Sequence, residues 1–87
     1  MYYTKKPITI RALQWDGTIK GANNIIKNFP KLESVKLEFD EYTVFWEIKT
    51  LEGKHIVSSK DFIIEGIKDE YYPCKPDIFY ASYDKLC

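Results

Sequence analysis

The side chains able to do chemistry are few and scattered along this chain. Cys74 lies between Pro73 and Lys75, and a lysine beside a thiol can lower its pKa toward a reactive thiolate. No histidine stands near it in sequence. The single histidine, His55, precedes Ser58 and Ser59 and has no Cys or His at metal-ligand spacing. A serine nucleophile would need His55 and a carboxylate brought together by folding alone, so His55 reads as a partly exposed strand residue. The carboxylate pairs Asp40-Glu41 and Asp69-Glu70 read as polar turns, with nothing nearby to separate their pKa values into an acid and a base. The four glycines are scattered and form neither a dinucleotide fingerprint nor a phosphate loop. These residues predict a protein that is not an enzyme, with no catalytic residues, no metal and no cofactor. Cys74 then reads as a half-buried packing residue, and Cys74 and Cys87 as free thiols.

At 87 residues the chain is long enough for one domain, residues 1–87, with one modest core. It is 45% hydrophobic and 30% charged, which is a globular composition. Aromatic residues reach 16%, and large rings let a small chain bury much area with few residues. Thirteen basic residues offset thirteen acidic ones and are interspersed with them, which argues against nucleic acid as a partner. The opening "MYYTKKPITI" has no long apolar run, so neither a signal peptide nor a membrane span is expected, and the cytoplasm is the expected location.

These residues need elements to position them. "PITIRALQW" alternates with period two and predicts a strand opened by Pro7, with Ile8, Ile10 and Ala12 on one face and Thr9, Arg11 and Leu13 on the other. In "TIKGANNIIKNFP" the period changes: Ile19, Ala22, Ile25, Ile26 and Phe29 share one helical face. Asp16 or Thr18 can cap this helix, and Pro30 stops it. Strands follow at "SVKLEFD", "YTVFWEIKT" and "HIVSS", with turns at Asp40-Glu41 and at "LEGK". "DFIIEGI" and "DEYYPC" predict two more, the last broken by Pro73, which suits an edge or a bulge. The end, "KPDIFYASY", reads as one helical turn with Pro76 in its first turn and Phe79 and Tyr83 at i, i+4, or else as a short strand around Phe79 to Tyr83. The expected fold is α+β: a strongly bent antiparallel sheet or partial barrel with one helix packed on it.

Several rings are ambiguous between core and surface. Trp15 can be core or the floor of a pocket, and Trp46, beside Tyr42, Val44 and Ile48, reads as core. Phe45 points away from Trp46. Both faces of its strand are apolar in the middle, so either the sheet's curl and the helix cover both, or one face is a patch for a partner. "EYYPCKPDIFYASY" crowds four tyrosines, Phe79 and two prolines into one segment. It reads as a clasp that puts Phe79 and some tyrosines in the core, with Tyr71, Lys75 and Asp77 on its exposed side.

Two blocks, "KKPITIRALQWDG" and "VSSKDFIIEGIKDEYYPCKPDIFYASY", cover nearly half the chain. Together they resemble a widespread group of short phage and prophage proteins with no assigned activity, whose pattern includes A-x-QW-x-G and YPCKPDIF. Where that pattern has Gly-Asp this chain has Lys60-Asp61, and where it has Gly-Glu this chain has Asp69-Glu70. The resemblance implies a phage protein acting inside a bacterial host, in its cytoplasm, by binding. The first expectation is a non-enzymatic protein that docks an aromatic and charged surface on a host protein, such as a defence protein, and inhibits it. A second is sequestration of a nucleotide-type signalling molecule, with Trp15, Tyr71 or Tyr72 stacking a base and Arg11, Lys60 or Lys75 meeting phosphate. A virion accessory role and a homo-oligomer built by strand pairing complete the expectations. The candidate binding residues are therefore Arg11, Trp15, Phe45, Lys60, Tyr71, Tyr72, Lys75 and Asp77.

Overall fold

The structure, a computed structural model, describes residues 1–4 and 8–85. Lys5, Lys6 and Pro7, with the expected strand opening, and Leu86 and Cys87 lie outside the described residues. The first strand, β1, is shorter than its alternating pattern and spans Arg11–Gln14. Helix α1 follows at Ile19–Asn28. Thr18 is its N-cap: its hydroxyl oxygen accepts from the Gly21 N–H at 2.9 Å. Asp16 acts one step back, accepting from the Thr18 N–H and hydroxyl at 3.0 and 2.7 Å. Ala22, Ile25 and Phe29 are the buried face that the spacing predicts.

Three strands then run as a meander: β2 at Ser34–Phe39, β3 at Val44–Thr50 and β4 at Gly53–Val57, with β3 in the middle. Gly53 carries the turn between β3 and β4 with φ +106°, which glycine adopts without a Cβ penalty. Strand β5, Phe62–Glu65, is the centre of a second antiparallel sheet, flanked by β1 and by β6 at Tyr71–Cys74. Pro73 therefore lies on an edge strand, as its missing N–H requires. A tight turn at Ile67–Asp69, with Lys68 and Asp69 left-handed at φ +61° and +60°, joins β5 to β6. Helix α2, Pro76–Ser82, closes the described chain, with Pro76 in its first turn.

The α+β class holds, but its finer description changes. Among the described residues the strands divide into two three-stranded sheets, not one bent sheet, with no closed barrel, and α2 is a second helix. The break falls at Ser58–Asp61. There the Asp61 N–H donates to the Ser58 carbonyl at 3.0 Å and Lys60 takes φ +75°, so β4 and β5 leave the turn in different sheets. Three residues other than glycine are left-handed among the described residues, Lys60 at φ +75°, Lys68 at φ +61° and Asp69 at φ +60°. The turns form without glycine, at a cost in backbone strain of about 1–2 kcal/mol for each such residue.

The sheets meet over one core. Trp46 and Ile48 from β3, Val57 from β4, Ile63 from β5 and Tyr71 from β6 close on α1. Trp15 and Trp46 pack edge to face with ring centroids 5.3 Å apart. Both indole N–H groups have partners, Trp15 on the Thr18 carbonyl at 2.8 Å and Trp46 on the Ser34 hydroxyl at 2.9 Å. The opposite face of the β1–β5–β6 sheet carries Phe62 and Ile64. Helix α2 packs on it at Phe62, stacking Phe79 on that ring at 3.8 Å with the rings nearly parallel.

Candidate protein-binding surface

Among the described residues no helix covers the outer face of the β2–β3–β4 sheet at Phe45. Trp46 and Ile48 fill the inner face, so alternation sends Phe45 and Glu47 outward. The register Trp46 to Val57 and Glu47 to Ile56 sends Ile56 outward too, as a diagonal neighbour of Phe45. Phe45 is 37% exposed and Ile56 58%. The ammonium of Lys36 sits 5.8 Å from the Phe45 ring centroid, giving the patch a basic rim.

Tyr42, 86% exposed, stands at the end of this face in the β2–β3 hairpin. The hairpin is fixed by Asp40, whose Oδ1 accepts from the N–H groups of Tyr42 and Thr43, each at 2.8 Å. The Tyr42 bond first, then the Thr43 bonds, hold the Asp40 carboxyl below the usual carboxylate range. Across from the hairpin, the loop before α1 meets the turn after β4. A Cβ on Gly17, whose φ is +87°, would lie 2.7 Å from the Ser59 hydroxyl, so this close approach depends on glycine. Between hairpin, loop and turn runs an open groove of about 400 Å³, lined by Tyr42, Val44, Phe45, Ile56, Ser58 and Ser59 among others.

Of the remaining sequence candidates, Trp15 borders the same groove as Phe45 but is a core ring only 1% exposed, and the others are dispersed; Tyr71 is 4% exposed and presents no face to a ligand. Tyr71 also leaves the exposed side of the C-terminal segment: its ring packs against Phe29 and its hydroxyl donates to Glu65 at 2.8 Å. Burial, followed by that bond, pushes its pKa up to about 12. Tyr72 is half-buried and also pushed up to about 12, by burial and then by the Tyr83 hydroxyl. Arg11 faces Glu65 at 3.7 Å and lies 5.1 Å from the Phe29 ring centroid. It lines a second groove of about 310 Å³ with Ile8 and Ile67, away from Phe45.

Lys60 is exposed beside the first groove, and its backbone extends the β1 ladder by donating to the Trp15 carbonyl at 2.8 Å. Lys75 reaches back to Asp61 at 3.2 Å. That buried carboxylate also accepts from the Ser58 N–H at 2.9 Å, so Asp61 ties the β4–β5 turn to the start of α2. Asp77 is exposed in the first turn of α2. Cys74 is half-buried, as expected, and burial and then Asp61 and Asp77 push its thiol up, away from the reactive thiolate that Lys75 could have favoured.

Tyr42 and Ile56 are the surface residues that the sequence candidates omit. The alternation of "YTVFWEIKT" assigns Tyr42 to the Trp46 face, but β3 begins at Val44 and leaves Tyr42 in the loop. Ile56 and Val57 are adjacent and both apolar, so composition does not say which turns inward. Only the register against Trp46 does. Among the described residues no group of three or more His, Cys, Asp or Glu side chains is placed to hold a metal ion. No helix among them is long and apolar enough to cross a membrane. No family model, no curated protein and no solved structure matches this chain.

Proposed function

We propose that the protein works by docking the outer face of its β2–β3–β4 sheet onto a partner protein. The observation that carries this reading is the pairing of Phe45 and Ile56 on an exposed sheet face, beside an open groove that Tyr42 also lines. Apolar groups held on strands need little ordering when they bind, so their burial goes into affinity. The basic rim at Lys36 and the acidic Glu38 and Glu47 on the same face would set orientation. The resemblance in the C-terminal block gives the partner its class: a host bacterial protein, such as a defence protein, inhibited by occupation of its surface.

Capture from bacterial lysate tests this with the wild-type chain and the double variant Phe45→Ala, Ile56→Ala. A host protein retained by the wild type at micromolar concentration should bind the variant at least thirtyfold more weakly, the loss of about 2 kcal/mol typical of a central anchor. A partner held equally by both would move the site elsewhere. Capture of no host protein would end the proposal.

A further inference from the structure

We infer that β2 is a self-pairing edge, joining two copies of this chain into one continuous six-stranded sheet. The two three-stranded sheets leave four edges, and three are poorly suited to a second copy. Strand β6 has Pro73 in place of a donor. In β1, the side chains of Arg11 and Gln14 are drawn to the carbonyls of Asn28 and Lys60. Strand β4 carries Lys54 and His55 with no acidic residue to face them. Strand β2 is different.

Its sequence from Val35 to Phe39, VKLEF, alternates apolar, basic, apolar, acidic, apolar. Laid antiparallel against itself about Leu37, it puts Lys36 of each copy opposite Glu38 of the other. The ladder is regular from Lys36 to Phe39, and Val35 lies at a β-bulge between Ser34 and Lys36, so Phe39 of each copy would pack near, not strictly opposite, Val35 of the other; both side chains are now exposed, Phe39 at 71%. Lys36 and Glu38 share the outer face, 3.8 Å apart and each more than half exposed, so both are available to a facing strand. Opposite charges directly across an antiparallel pair are favourable and like charges are not.

The backbone agrees with the same dyad. The Asp40 N–H donates to the Thr43 carbonyl at 2.9 Å, which makes Asp40 and Thr43 a hydrogen-bonded pair. Such pairs alternate along an antiparallel ladder. Glu38 and Lys36 therefore turn their backbone groups toward β3, while Phe39 and Leu37, opposite Val44 and Trp46, turn theirs to the free edge. Among the described residues no hydrogen bond outside the β2–β3 ladder reaches the backbone of either. At the dyad, Leu37 of each copy would donate to and accept from Leu37 of the other. A single paired edge is smaller than the usual interface of about 1,200–2,000 Å², so the dimer is reversible and concentration-dependent. This inference does not rest on the docking reading: Lys36 and Glu38 also rim that surface, but self-association of the purified chain needs no host protein.

Sedimentation of the purified chain tests it, with Lys36→Glu, Glu38→Lys and the double charge exchange. The wild type should pass from monomer to dimer between micromolar and millimolar concentration. Each single variant places like charges across both sides of the dyad and should dimerise about tenfold more weakly at low salt. The double exchange restores every pair and should dimerise like the wild type. An equimolar mixture of the two single variants is the decisive case, since each supplies the charge the other lacks: it should form heterodimers about as tightly as the wild type dimerises. Circular dichroism should be unchanged throughout, since both side chains are exposed. A wild type that stays monomeric into the millimolar range overturns the inference. So does a dimer indifferent to the single reversals, or a mixture that fails to recover.

Discussion

The two sheets are built from similar apolar strands and solve the problem of a second face in opposite ways. In the β1–β5–β6 sheet both faces are packed, one against the shared core and one, at Phe62, against α2, and Ile63 and Ile64 on successive positions of β5 are both buried. In the β2–β3–β4 sheet only the inner face is covered, and Phe45 and Ile56 stay in water. Nothing in apolar content separates these strands. What separates them is whether a later element reaches the outer face, and α2 reaches only one. An apolar side chain that folding leaves uncovered on a rigid strand is available for recognition, which is why the binding surface is assigned to the second sheet and the C-terminal clasp to the first.

The contrast can be broken most directly with two isoleucines. Ile64→Ala should cost about 2–5 kcal/mol, the usual range for emptying a buried site. Ile56→Ala should stay within about 0.5 kcal/mol, as exposed substitutions do. Chemical denaturation of both variants measures the difference. Comparable losses would mean that the outer face of the second sheet is covered after all.

A smaller effect sharpens the covered side. Tyr71 has its pKa raised from 10.0 to about 12 in the folded state, so its neutral form is the one the fold favours. The contribution is fully present below pH 10 and is lost as pH rises from 10 toward 12, because the unfolded chain releases the proton first. The loss should approach roughly 2 kcal/mol. Stability measured at pH 9 and at pH 11.5 should fall less steeply in Tyr71→Phe. An identical fall would place the alkaline sensitivity elsewhere.

The smallest effect concerns the turn that divides the sheets. Lys60→Gly removes a Cβ from a residue at φ +75° and should stabilise by about 0.5–1 kcal/mol after glycine's own entropy is counted. Thermal unfolding reads this as a rise of a few degrees. A fall would mean that the lysine side chain contributes more there than its backbone costs.

Much of this fold was legible because local pattern and tertiary demand agree. Helix α1 shows five apolar residues at helical spacing and a capping threonine, β2 falls within the alternating run that predicts it, and β6 falls within "DEYYPC". The division into two sheets was not legible, since "VSSKDF" contains no glycine or proline to announce a reversal and the turn takes its left-handed residue from a lysine. Phe45 could be read as outward by parity with Trp46. Tyr71 could not be placed by residue type, because a tyrosine suits core and surface alike until a partner for its hydroxyl is known. That partner, Glu65, comes from the neighbouring strand.

The register of β1 also dictates an order of events. The meander joins strands through short turns, so its ladders can form as soon as Val57 has been made. Strand β1 must wait for β5, because Arg11 pairs with Glu65 and Gln14 with Phe62. Until then Leu13 and Trp15 have no sheet to join, and closing so long a loop comes before any reward from pairing. The β1–β5 ladder thus joins the strands most widely separated in sequence and carries the largest loop-closure cost of the four ladders. During synthesis, the interval before that ladder forms is when the chain is most open to capture by other chains or by chaperones.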